Sequence, residues 1–263
     1  MIQLKFSYQT KIDFSGDVTD HAFLLRCFPI EDHSQQIVDM VHTNFPIVTG
    51  GQYSYDGLGN RIYTGRIDRS HDSLDYRVSG SIIRDDSKKI YENPMPCYKY
   101  PSELTHADLA MEEFLESLNL TGTDYEKAEI ISKALNEYMT YAPGTTGIAT
   151  SAAEAFKKRK GVCQDYSHIM ISLCRLAGIA ARYVCGLPLG EGETHAWVEI
   201  WHEGSWYGID PTRGCDADET YIKLCIGRDY SDCPIERGIF KGDAVQSQTV
   251  YMKVSYEKEA LLA

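Results

Sequence analysis

Among the eight cysteines, at 27, 97, 163, 174, 185, 215, 225 and 233, there is no Cys-x-x-Cys pair, which argues against a structural zinc site. His-Glu-x-x-His and EF-hand patterns are also missing, so neither a metal nor another cofactor is expected. No apolar stretch reaches about 18 residues, so no membrane-spanning helix is expected. Met1-Ile2-Gln3-Leu4-Lys5-Phe6-Ser7 contains no basic segment followed by an apolar run. No signal peptide is therefore expected, and the cytoplasm is the default compartment. Positive charge is in short supply: 26 Lys and Arg against 38 Asp and Glu leave a net charge of −12. Such a field repels nucleic acid and anionic lipid, and neither is an expected partner. In an unsecreted chain disulfides are not expected, and most thiols read as small buried hydrophobes.

What is present suits a soluble, well-cored protein. The chain has 263 residues, 43% hydrophobic and 24% charged, with 18 Tyr. That length fits one large or two modest domains. Residues 1 to about 92 read as β structure. Leu4, Phe6 and Tyr8 alternate with polar neighbours, Ala22 to Phe28 is a short apolar run, and Asp56-Gly57 with Gly59-Asn60 marks a turn. Short strands with turns between them predict an antiparallel, β-sandwich-like domain. Asn93-Pro94-Met95-Pro96 breaks the pattern, giving an expected division into residues 1–95 and 96–263.

Helices follow. One is expected from a Ser102 cap through Leu109 and Phe114 towards Leu118. A second starts at Thr123 or Asp124 and carries Ala128, Ile131, Leu135 and Tyr138. Ser151 and Glu154 have capping-box spacing for a third. The fourth places Tyr166, Ile169, Met170, Leu173, Cys174 and Ala177 on one core-facing stripe. Gly161-Val162-Cys163 lies at its start. Strands then return over Arg182–Cys185, Thr194–Trp201, Trp206–Asp210, Tyr221–Ile226 and Val250–Val254, with Glu203-Gly204 closing a hairpin.

Three residues here have the chemistry of a thiol catalyst. A cysteine attacks as its thiolate, which a helix N-terminus and a neighbouring imidazolium both favour. Cys163 has the first by position, and Gly161 allows a tight turn into the helix. The unpaired amides of that first turn can receive an oxyanion. His195 opens a strand and shares a face with Trp197, Glu199 and Trp201. Across a two-residue turn His202 opposes Ser205, which sets Asp210 opposite Trp197, on the face of His195 and diagonal to it. Asp210 can then orient the imidazole.

Gly161-Val162-Cys163-Gln164-Asp165-Tyr166-Ser167-His168 resembles the nucleophile segment of the bacterial transglutaminase-like superfamily. Thr194-His195-Ala196-Trp197-Val198-Glu199 is similar to its histidine strand, and Gly208-Ile209-Asp210-Pro211-Thr212 to its aspartate segment. The resemblance is strong over about 140–235, and the β-rich first part looks like the N-terminal domain of the bacterial branch. It implies an α+β fold with a papain-like core, in which a Cys-bearing helix packs on an antiparallel sheet. It also implies Cys163 as nucleophile, His195 as base and Asp210 as orienter. Gln164, Tyr141 and Thr146 are further candidates for an oxyanion donor, with Thr145 beside them, and Trp197 for a substrate wall. His168 lies off the face of Cys163 and reads as structural. The expected activity is hydrolysis of a peptide or protein amide through a thioester. Acyl transfer to an amine is one alternative, and a non-catalytic binding module that keeps the fold is another.

Overall fold

The computed structural model describes residues 1–87 and 93–257; residues 88–92, the end of the expected β region, lie outside it. Strand β1 (Ile2–Leu25) dominates the first part. Separate short strands are expected there, yet the backbone stays extended through Ser15-Gly16-Asp17, and its pairing register breaks between Asp13 and Val18. Four strands follow: β2 (Gln35–Phe45), β3 (Thr49–Tyr55), β4 (Arg61–Ile67) and β5 (His71–Arg84). The turn between β3 and β4 forms at Asp56–Asn60, where the Asp56 carboxylate accepts from the Leu58 and Asn60 amides.

Helices α1 (Leu109–Ser117), α2 (Asp124–Tyr138), α3 (Ala152–Lys158) and α4 (Cys163–Leu176) make up the middle. Thr123 with Glu126 and Ser151 with Glu154 form capping boxes at α2 and α3, each satisfying two otherwise orphan amides. Helix α1 differs from expectation. It starts seven residues after Ser102, because the Asp108 carboxylate accepts from the Met111 amide while the Ser102 hydroxyl is spent on Thr105. Short strands β6 (Thr140–Tyr141) and β7 (Lys160–Gly161) pair in parallel just ahead of α4.

The last part is β again: β8 (Ala181–Pro188), β9 (Gly190–Gly192), β10 (His195–His202), β11 (Ser205–Asp210), β12 (Cys215–Asp216), β13 (Tyr221–Gly227), β14 (Glu236–Lys241) and β15 (Gln246–Tyr256). Five of them form an antiparallel sheet in the order β12-β11-β10-β8-β13. The apolar stripe of α4 shares a core with Ala181, Tyr183, Ala196, Val198 and Ile200 on one face of that sheet. The expected α+β architecture, a Cys-bearing helix on an antiparallel sheet behind a strand-rich N-terminal region, is therefore the one that forms.

The strand pairing runs across the expected division at residue 95. Strands β14 and β15 both pair with β1, and β9 pairs with β15, so the C-terminal strands complete the N-terminal sheet. Leu187, Ile222 and Leu224 of the five-stranded sheet lie in one core with Leu4, Phe6 and Val78. A strand as long as β1 cannot be left with a bare edge of unpaired amides and carbonyls. The alternation at 250–254 announces a strand but not the sheet it joins.

Candidate active site

The chain enters α4 through a junction that glycine makes possible. The Asp165 carboxylate accepts from the Val162 amide at 2.7 Å and from the Thr146 hydroxyl at 2.7 Å. This ties the start of the helix to the preceding loop. A Cβ at Gly161 would lie 2.5 Å from that carboxylate, so a side chain there would displace the cap. Cys163 is the first helical residue and is half-buried. The first-turn amides, which no helical carbonyl can reach, carry the positive end of the dipole beside its sulfur.

The hairpin carrying the other two residues has the register read from its turn. His202 opposes Ser205 and the pairing runs to Val198 opposite Ile209, so Asp210 reaches the level of Trp197 on the face of His195. His195 Nε2 and Asp210 Oδ2 are 2.7 Å apart. That leaves Nδ1 as the ring nitrogen available to the thiol, and Cys163 is among the groups acting on the imidazole. Burial by itself would lower the basicity of the ring. The Asp210 hydrogen bond, with the charge of that carboxylate and the neighbouring Cys163 thiol, outweighs it and raises the imidazole to about 9. At neutral pH the ring is thus a cation between a sulfur and a carboxylate. Thiol, imidazole and carboxylate form one row, set by the α4 N-terminus, the start of β10 and the end of β11.

Asp210 is fully buried. Besides His195, it accepts from the Thr212 and Arg213 amides at 3.0 and 3.1 Å and from the Tyr221 hydroxyl at 3.0 Å. Tyr221 and Arg213 have no counterpart among the expected site residues. Tyr221 lies on β13, two strands away from β10, and no turn connects the two registers.

The weaker candidates divide. Tyr141 is brought to the site: it pairs with Gly161 across β6 and β7, stays 53% exposed, and feels the charge of Cys163. Its phenol is pushed up, first by burial and then by that charge. The Thr146 hydroxyl is already committed to Asp165, and Thr145 closes a local turn onto the Ala142 carbonyl. The Gln164 amide donates to the Ile148 carbonyl at 3.2 Å, anchoring the loop before α3. Trp197 is 1% exposed and packs with Ile30, Val184 and Tyr221 behind the site, so it walls no cleft. Its ring lies over Gly186, the residue paired with His195; a Cβ there would come within 2.5 Å of the indole. His168 is buried and accepts the Tyr230 amide at 3.1 Å, the structural part expected of it.

Residues 113–211 match the transglutaminase-like superfamily, and residues 4–82 match the bacterial transglutaminase-like N-terminal region. An uncharacterised protein of Mycobacterium leprae is 35% identical over 127 residues, 44% of this chain and 45% of that protein. The chain thus spans about half the length of the curated mycobacterial relatives it matches. A protein-glutamine gamma-glutamyltransferase of Pseudomonas aeruginosa is 36% identical over 86 residues, 28% of this chain and 13% of that one. Among solved structures, a protein of Cytophaga hutchinsonii provisionally named a cysteine protease superposes with a TM-score of 0.82. It shares 20% identity and covers 99% of this chain and 92% of its own.

Proposed function

We propose that this chain, a bacterial transglutaminase-like N-terminal region followed by a transglutaminase-like core, is a cysteine-dependent hydrolase of peptide or protein amides. The observation that carries the proposal is the imidazole of His195, hydrogen-bonded to buried Asp210 and raised in basicity by that carboxylate and by a thiol at a helix start. The Cys163 thiolate adds to the amide carbon, forming a C–S bond, and the carbonyl electrons move onto oxygen. The first-turn amides of α4 are suited to receive that oxyanion, and Tyr141 flanks it. Collapse breaks the C–N bond, with the His195 proton passing to the departing amine. The neutral imidazole then takes a proton from water, whose oxygen attacks the thioester. A second collapse releases the acid and restores the thiolate–imidazolium pair. Asp210 holds the ring in the tautomer this requires.

An amine in place of water at the second step would make the same site an acyltransferase. The similarity to the Pseudomonas gamma-glutamyltransferase favours keeping this as the second reading. One experiment separates the two: fluorescent casein with and without dansylcadaverine, followed for peptide release and for amine incorporation. Hydrolysis predicts release without incorporation, falling at least ~1000-fold in Cys163→Ala. Turnover by Cys163→Ala equal to that of the unaltered protein would remove the cysteine from the chemistry under both readings.

A further inference from the structure

We propose that Tyr221 is a positioning residue of this site: its hydroxyl holds the carboxylate that holds the imidazole. The inference rests on the hydrolase reading above and adds a fourth side chain to it. Asp210 Oδ2 accepts from two side chains, His195 Nε2 at 2.7 Å and the Tyr221 hydroxyl at 3.0 Å, while Oδ1 takes the Thr212 and Arg213 amides. The carboxylate therefore meets a donor on every side and has one orientation available. The phenol is itself held. Arg213 Nη1 donates to its oxygen at 3.1 Å, and the ring stands edge-on to Trp197 with centroids 5.3 Å apart. A cation donating to the phenol oxygen makes the O–H a better donor toward Asp210.

The geometry gives the phenol a second effect. It binds the very oxygen that faces His195, so it draws off part of the negative charge that would otherwise act on the imidazolium. The charged and titratable groups around the row are Cys163 from α4, Asp210 from β11, Arg213 and Cys215 from the segment after it, and Tyr221 from β13. Tyr141 lies farther out, within the influence of both Cys163 and Glu193. Among these, Tyr221 donates a hydrogen bond to the Oδ2 that faces the ring, and Arg213 Nε lies 3.7 Å from the same oxygen. Burial, followed by the Asp210 charge, pushes the phenol well up, so it remains protonated and a donor throughout the working range.

The test needs no known substrate. Alkylation of Cys163 by iodoacetamide, mapped by mass spectrometry across pH 5–10, reports the thiolate and the proton on its imidazole partner. In Tyr221→Phe the ring stays and the hydroxyl goes. The upper inflection of that profile is expected to rise by about half a pH unit, because the imidazolium then sees the whole carboxylate. Casein turnover is expected to fall about tenfold, as for loss of a hydrogen bond to a charged group. If circular dichroism shows that Tyr221→Phe does not fold, Arg213→Lys is measured instead, which keeps a cation beside Asp210 but loses the Nη1 bond to the phenol, and a smaller rise is expected. Selective labelling of Cys163 with an unmoved inflection in the folded variant would overturn the positioning role and leave the hydrolase reading intact. Labelling of the unaltered protein with no preference for Cys163 over the exposed Cys215 would overturn both.

Discussion

At the scale of single residues, the site is a problem in the placement of charge. A half-exposed histidine would titrate near its ordinary value of 6.5, whereas His195 is raised to about 9 with its side chain 12% exposed. A folded-state value above the unfolded one means the fold binds the proton more tightly. The stabilisation is complete below about pH 6.5 and is lost as pH rises through 9. The unfolding free energy of the unaltered protein, less that of His195→Gln, is expected to drop by on the order of 3 kcal/mol across that window. Urea titrations at pH 6, 7.5 and 9.5 measure it, and a flat difference would mean the ring is not held as a cation. Of the residues involved, Cys163, His195 and Asp210 are readable in the sequence because each sits at an element boundary that its neighbours announce. Tyr221 is not, since a tyrosine in an apolar strand looks the same whether it packs or bonds.

At the scale of elements, the junction into α4 decides whether the sulfur meets the helix dipole. The Asp165 carboxylate caps that junction and needs the space that Gly161 leaves. Gly161→Ala is expected to displace the carboxylate and to destabilise the protein by about 1–2 kcal/mol, the range for a lost helix cap. It should also slow alkylation of Cys163, because the helix start loses its fixed orientation. Equilibrium unfolding and the alkylation rate, measured together, check both parts; an unchanged rate would mean the junction does not orient the thiol. The capping box of α3 was legible from local spacing, since both partners lie within one turn, and so was the start of α2 at Thr123 or Asp124. Helix α1 was not, because Ser102 and Asp108 are both competent caps, and the Thr105 contact that occupies Ser102 belongs to a turn no periodicity reveals.

At the scale of the whole molecule, a buried ionic cluster joins the β-rich part to the five-stranded sheet. Lys223 of β13 is 3% exposed and bonds Asp32 from the loop before β2, with Glu199 of β10 3.4 Å away. Its amide and carbonyl are both bonded to the side chain of Gln35. Burial would raise the Asp32 carboxyl, but Lys223 and the Ser34 bonds hold it well below the usual carboxylate range. Removing one partner leaves a buried charge uncompensated, which costs about 3–5 kcal/mol. Lys223→Met is therefore expected to lower Tm by roughly 10 °C. Adding Asp32→Asn should recover part of the loss, since the pair is coupled. Calorimetry on the two single variants and the double measures this, and strictly additive losses would mean the pair does not bridge the two parts. The same closure explains β9, which is bound into the N-terminal sheet by β15 three residues before His195.

Local features were legible from the residues alone: which segments alternate, where α2, α3 and α4 begin, how the β10–β11 hairpin registers, and which three residues are the candidates for the chemistry. Each follows from interactions between residues close in the chain or across one short turn. It took the folded chain to show that β14 and β15 return to β1, that Trp197 and Thr146 are spent on packing and on Asp165, and that Tyr221 reaches Asp210. Those outcomes depend on edges and faces meeting across dozens to hundreds of residues, where many pairings satisfy the same pattern of alternation. Close packing and the need to bond every buried polar group select one of them.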